Sequence, residues 1–337
     1  MKKERKVVLN KNWVKILIAV AGGLLVLGIL FIVMDKLEQA ADREEIQGAG
    51  TSVHAETRTK TISHNGQSFT IKKHMKTVLL IGIDSDKQPG DDEDTFYNFN
   101  QADFLLLIAS DPDKKTNRMI HINRDTMCDV PWLSVEGKKG GTKFEQIAFA
   151  HTYGSGKQDS CKNTVEAVSD LLMGLPIDNY VCLSMQGVPA ITDVVGGVTV
   201  TVTDDFSSTD PFITKGQVCL EGQHALTFVR ARKSVGNGTN LERMERQKEY
   251  MNRFIETFRT ATEMDPDIAG KVSDVMEQYT ITDFTATGLI SAMQDLYRYG
   301  INDIQSLKGE AKNGEQYVEF YIEKDSAYDI LKDVFGA

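Results

Sequence analysis

The sequence predicts an α/β fold: a single domain with a central mixed β-sheet flanked by helices on both faces, preceded by one transmembrane helix. Three observations carry this. Two apolar runs of strand length, residues 77–84 (TVLLIGID) and 104–110 (FLLLIAS), lack polar alternation and read as strands buried on both faces. Strand-like and helix-like segments intersperse along the rest of the chain without an internal repeat, as in a layered α/β domain. Ahead of them, residues 16–34 run nineteen positions without a charge, about 28 Å as a helix and close to the thickness of a bilayer's hydrocarbon core.

Charge orients that span. Residues 1–15 hold six basic side chains against Glu4, so they carry +5 of the chain's −10 and leave −15 on the remainder. Just after the span, Asp35, Glu38, Asp42, Glu44 and Glu45 outnumber Lys36 and Arg43. The positive-inside rule then places a cytoplasmic tail at 1–15 and the body outside a single-pass membrane anchor. The rival reading, a cleaved signal peptide, lacks a prompt small-x-small site. An acidic body also argues against nucleic acid as a partner.

Residues 35–56 read as an extracellular spacer. Residues 57–76 hold a β-hairpin around Asn65-Gly66, a dipeptide that tolerates positive φ at both turn positions. The domain core runs from 77 to 262, and 263–337 complete it or form a small subdomain. After the two buried strands, 119–123 is a shorter third and 88–101 a polar loop. Helices are expected at 146–153, 164–172 and 188–195, and strands at 180–183 and 198–202. A loop at 203–215 precedes the approach to the arginines, 216–229. Long helices follow at 241–262 and 285–299, then a strand at 317–322 and a helix at 326–334.

The charges crowd at 228–247. Arg230 and Arg232 are two apart, which in extended chain points both to one side. Arg243 shares a helix face with Arg246 and Gln247, and the start of that helix offers unpaired N–H groups. Together these could cradle phosphate. Asp84 ends the first buried strand and Asp103 begins the second, while Arg124-Asp125 follows the third; ligands gather at such strand ends. Two carboxylates facing arginines suit Mg²⁺ shared with a diphosphate. The competing reading is a set of structural ion pairs.

No GxxxxGK(S/T), HExxH or GxSxG motif is present, and Gly154–Lys157 reads as a plain loop. His121 and His151 read as core or surface residues. Cys128, Cys161, Cys182 and Cys219 include no CxxC pair, which leaves either disulfides or buried free thiols.

Seven segments in order carry a family resemblance: LLIGID (79–84), ADFLLLIAS (102–110), INRDTM (122–127), AHTYGSG (150–156), DVVGGVTV (193–200), LEGQHALTFVRAR (220–232) and ERMERQ (242–247). The chain resembles the LytR-CpsA-Psr family of cell-wall ligases. The resemblance implies an α/β domain with an apolar pocket for a polyprenyl chain. It also implies a phosphotransferase that moves an anionic or capsular glycopolymer from an undecaprenyl-diphosphate carrier to peptidoglycan, at the C6 hydroxyl of N-acetylmuramic acid. By motif position, Asp84 and Asp103 look like its metal carboxylates, with Mg²⁺ (alternatively Mn²⁺) as cofactor. Arg124, Arg230, Arg232, Arg243 and Gln247 look like its pyrophosphate-binding set, and Asp103 or Asp125 would serve as general base. Three positions depart from the pattern: Gln101 and Asp86 where arginine is common, and Asn240 where aspartate is frequent. Lys143 is a candidate replacement for the lost charge. A polyprenyl-pyrophosphate hydrolase and a non-catalytic envelope module that binds lipid-linked precursors are the alternatives.

Overall fold

Residue alternation on the longest strands sets the layers of this domain. The computed structural model describes residues 60–85, 98–134 and 137–337. The expected tail, membrane span (16–34) and spacer, and Asp86, lie outside these residues. Among the described residues no helix is long and apolar enough to cross a membrane.

The strands are β1 (Thr61–His64), β2 (Gln67–Thr70), β3 (Lys76–Ile83), β4 (Ala102–Asp111), β5 (Thr116–Ile122), β6 (Met127–Leu133) and β7 (Lys139–Gln146), followed by a 3₁₀ turn (Ile147–Thr152). Then come α1 (Gln158–Leu171), β8 (Asn179–Ser184), α2 (Gly187–Val194), β9 (Val198–Val202), β10 (Gly216–Leu220), α3 (Gly222–Arg230) and α4 (Asn240–Met264). The chain closes with α5 (Asp267–Tyr279), β11 (Thr280–Thr282), α6 (Ala286–Tyr299), β12 (Asp303–Ser306), β13 (Gly309–Asn313), β14 (Val318–Ile322) and α7 (Lys324–Phe335).

A six-stranded mixed sheet has the order β11-β8-β3-β4-β5-β12. β3 runs parallel to β8 and antiparallel to β4, and β12 runs parallel to β5. The edge strands β11 and β12 come from beyond residue 262, so the C-terminal segment is built into the central sheet. On one face Leu79 and Ile81 of β3, Leu105 and Leu107 of β4 and Ile120 of β5 pack with Ala167 and Val168 of α1 and Leu331 of α7. On the other face Leu106, Ile108 and Met119 meet Ile255 of α4, with Val78, Leu80 and Leu296 only partly buried beside them. A further cluster joins β9, β10, α2, α3, α4 and α5 through Val200, Leu220, Phe228 and Phe258.

The Asn65-Gly66 hairpin forms as the turn chemistry requires, with φ of 47° and 77° and strands paired from Thr61–Thr70 to His64–Gln67. Gly196 and Gly197 also take positive φ, 83° and 88°, where α2 turns into β9. Three expectations change. The helix at 146–153 is a single 3₁₀ segment. The β6–β7 hairpin was not anticipated, because Pro131 interrupts one strand and the other, KGGTKFEQ, is polar and largely exposed. The arginine pair does not sit in an extended segment: Arg230 ends the helix 222–230, which buries Ala225, Leu226 and Phe228 at helical spacing.

Candidate functional site

Asn123–Thr126 form a tight turn after β5. The Asn123 carbonyl accepts from the Thr126 amide at 3.0 Å and its hydroxyl at 2.6 Å, and Asn123 Oδ1 accepts from the Asp125 amide at 2.9 Å. Asn and Asp favour such turns because their side chains can satisfy the backbone locally. The turn sends Arg124 toward the start of β4, where its Nη1 donates to Asp103 Oδ1. Asp103 Oδ2 faces Arg243 Nη1 of α4 at 3.3 Å. One buried carboxylate thus holds two guanidinium groups from distant parts of the chain.

Asn240 aims Arg243. Its Oδ1 accepts from Arg243 Nη2 at 2.6 Å, while its Nδ2 donates to Asn123 Oδ1 at 2.6 Å. The neutral amide orients the guanidinium without cancelling its charge, as an aspartate would. α4 begins here because Thr239 caps it, its side chain accepting from the Glu242 amide at 3.3 Å. Burial, opposed by Asp103 and reinforced by Arg124 and Arg232, lowers Arg243 to about 10, still cationic at neutral pH. Burial pushes the Asp125 carboxyl up against the opposing pull of Arg124, Arg232 and Arg243. Asp125 Oδ1 accepts from Gln146 Nε2 at 3.3 Å and lies 3.4 Å from Arg124 Nε.

Arg230, at the end of α3, donates to Asp84 Oδ1 at 2.9 Å in a half-exposed pair at the end of β3. Arg232, half-buried, makes no ion pair with a described residue. Its charge nevertheless acts on both Asp125 and Arg243, which sets it beside the cluster. The Nε atoms of Arg124 and Arg243 are buried without a hydrogen-bond partner. Four arginines therefore face three carboxylates, with donor capacity left over, and buried donors of this kind are costly unless a ligand meets them.

The cluster sits at one end of an apolar cavity of about 260 Å³ between the sheet and α4–α6. Leu80, Phe104, Val181, Tyr250, Phe254 and Met293 contribute to its wall; Asp103, Arg230 and Arg243 are its charged members, and Gln247 is among its polar ones. Asp125 is not part of this wall.

All eight predicted residues converge on this region, with qualifications. Gln247 lines the cavity while its Nε2 donates to the Val229 carbonyl at 3.2 Å, so it also anchors α3. Arg246 turns away: it pairs with Asp204 at 2.7 Å and caps the end of α3 through the Phe228 and Ala231 carbonyls. Lys143 does not replace the missing arginines; it lies against Tyr153 and Trp132. Asn123 and the aiming role of Asn240 had no sequence signal beyond the motif itself. Gly154–Lys157 turns inward, its amides and hydroxyl engaged by Asp159 and Ser160. His121 is a buried core residue whose ring packs at a 53° tilt against Phe104.

The LytR_cpsA_psr family profile matches residues 41–334. The chain belongs to this family. Among curated relatives, a Bacillus subtilis protein described as polyisoprenyl-teichoic acid–peptidoglycan teichoic acid transferase TagV is 30% identical over 241 residues, 69% of this chain and 56% of that protein. The alignment thus spans little more than half of that relative. A protein of Oceanobacillus iheyensis with the same transferase description, TagU, is 27% identical over 75% of this chain and 73% of its own length. Among solved structures, TagT bound to LI-WTA superposes with a TM-score of 0.58 at 22% identity, covering 84% of this chain and 98% of that one. A Streptococcus agalactiae structure gives 0.62 at 18% identity over 77% and 86%. The LytR_cpsA_psr fold is therefore shared with these structures.

Proposed function

We propose that this chain is a membrane-anchored phosphotransferase that moves a glycopolymer from a polyprenyl-diphosphate carrier onto peptidoglycan. One observation carries the reading: a cationic cluster with unsatisfied buried donors opens directly onto an apolar cavity. That pairing suits an amphiphile with a diphosphate joined to a hydrocarbon chain. The transferase descriptions of the relatives supply the polymer and the acceptor class, and the C6 hydroxyl of N-acetylmuramic acid is the acceptor atom that the family suggests.

In this reaction the acceptor hydroxyl attacks the glycopolymer-bearing phosphorus. The P–O bond to the prenyl phosphate breaks, and prenyl phosphate leaves with the bridging oxygen and its electron pair. Catalysis rests on positioning and charge neutralisation. Arg124, Arg232 and Arg243 hold diphosphate oxygens, while the apolar wall orients the leaving group. Asp103 and Asp125 keep Arg124 in place, and either is a candidate to take the hydroxyl proton. Asp84 and Asp103 would hold Mg²⁺ at the neighbouring ends of β3 and β4, where the Asp84 amide donates to the Gln101 carbonyl at 3.0 Å, with phosphate oxygens and water completing the shell. When bound there, Mg²⁺ would neutralise phosphate charge.

The test is turnover of a polyprenyl-diphosphate glycopolymer by the full chain in detergent, with and without peptidoglycan. Arg232→Ala should lower transfer by roughly 10²-fold or more while the melting temperature holds. Wild-type transfer in this variant would overturn the phosphate-clamp reading. Prenyl phosphate release independent of acceptor would mark a hydrolase instead.

A further inference from the structure

Away from the cavity, on the closed face of the sheet, three side chains converge that the proposed reaction does not use. His151 lies in the 3₁₀ turn one residue before its end, Cys161 in the first turn of α1, and Cys182 on β8; all are fully buried. His151 Nε2 lies 3.9 Å from Cys161 Sγ and 3.7 Å from Cys182 Sγ. The three ligand atoms fall within 4.8 Å of one another, the one such group of His, Cys, Asp or Glu among the described residues.

We propose that His151, Cys161 and Cys182 form a structural zinc site. With Zn–S of about 2.3 Å and Zn–N of about 2.0–2.1 Å, a tetrahedral ion sets sulfur and nitrogen about 3.6 Å apart. The observed separations exceed this by only 0.1–0.3 Å. A second observation concerns the far side of the imidazole: His151 Nδ1 lies 2.9 Å from the Asn100 carbonyl oxygen. Since a carbonyl only accepts, Nδ1 carries a proton, and the neutral ring of that tautomer presents its Nε2 lone pair to the two sulfurs. Metal-bound histidines are oriented by such a contact; a disulfide between the cysteines would have no use for it. Binding releases the two thiol protons and leaves a neutral centre, two thiolates against one dication, which suits a dry core. A fourth position is open to water or to Tyr180. That residue precedes Cys182 by two on β8 and buries a hydroxyl with no hydrogen-bond partner.

The site would also hold the approach to β4. Asn98 Nδ2 donates to the His151 and Gly154 carbonyls at 2.8 and 3.2 Å, and Asn100 accepts from the His151 ring. Asp103 follows three residues later, so zinc at His151 would fix the strand that presents it.

The experiment uses the full chain in detergent, purified without chelator. Elemental analysis should give about one zinc per chain, and zinc-edge X-ray absorption should show two sulfur ligands and at least one nitrogen. Chelation should lower the melting temperature, with recovery on adding Zn²⁺ but not Mg²⁺. Replacing zinc with Co²⁺ should produce a thiolate charge-transfer band that Cys182→Ser abolishes and Cys128→Ser, at a buried cysteine outside the group, retains. Three results would each overturn the proposal: no zinc bound or taken up by the wild type, bound zinc without sulfur ligands, or a Cys161–Cys182 disulfide in the non-reduced protein. If Cys182→Ser fails to fold, the wild-type absorption spectrum decides alone.

Discussion

The two faces of the central sheet are built from the same strands and do opposite things. Along β3, Leu79, Ile81 and Ile83 are at most 1% exposed and belong to the closed core, whereas Val78, Leu80 and Gly82 between them are only partly buried at the cavity. An uninterrupted apolar run looks the same in sequence whether protein or ligand covers its second face. Here α4 and α6 stand off from the sheet and leave space of hydrocarbon character. One face is a core in the ordinary sense; the other is a core missing one component.

This contrast can be broken residue by residue. Leu79→Ala opens a void in the closed face and should cost about 2–5 kcal/mol, read by chemical denaturation; a cost as small as that of Leu80→Ala, expected near 1 kcal/mol, would erase the distinction between the faces. Leu80→Trp should fill the hollow face with little change in melting temperature. It should weaken binding of a polyprenyl diphosphate by about tenfold, or 1.4 kcal/mol, measured by titration calorimetry.

His121 sharpens the comparison through pH. Burial, aided by the positive charges of Arg243 and Lys248, lowers its pKa from 6.5 to about 3. The unfolded chain therefore takes up this proton at a higher pH than the native state does. The contribution of neutral His121 is fully present above pH 6.5 and is lost as pH falls toward about 3. Denaturation midpoints of His121→Leu should vary less with pH across that window than wild type; parallel curves would sink the assignment. Smallest of all, Arg230→Ala removes a half-exposed pair with Asp84 and should change stability by less than about 0.5 kcal/mol, even where it weakens diphosphate binding.

Much of this was legible. β3, β4, β8 and β9 follow from unbroken apolar or β-branched runs, and the first hairpin from Asn65-Gly66. The clustering of the candidate residues was legible because Asp84, Asp103 and Arg124-Asp125 all mark strand ends, which a sheet brings to one edge. What escaped had physical reasons. A four-residue apolar run, Leu226–Val229, does not distinguish strand from helix, and its helical state depends on Arg246 reaching back to the Phe228 and Ala231 carbonyls. Asn123 and Asn240 are polar residues that look like loop chemistry until the fold brings them within 2.6 Å. His151, Cys161 and Cys182 have no motif spacing, since their meeting depends on how the 3₁₀ turn, α1 and β8 pack.

The hollow face also sets how the protein responds to compression. Unfolding eliminates internal void, so the system's volume falls and pressure favours the unfolded chain. With about 260 Å³ of apolar space beneath α4, the ligand-free domain should yield to hydrostatic pressure more readily than its heat stability suggests. A hydrocarbon chain in that space would remove most of that volume decrease, so bound lipid should register as resistance to pressure.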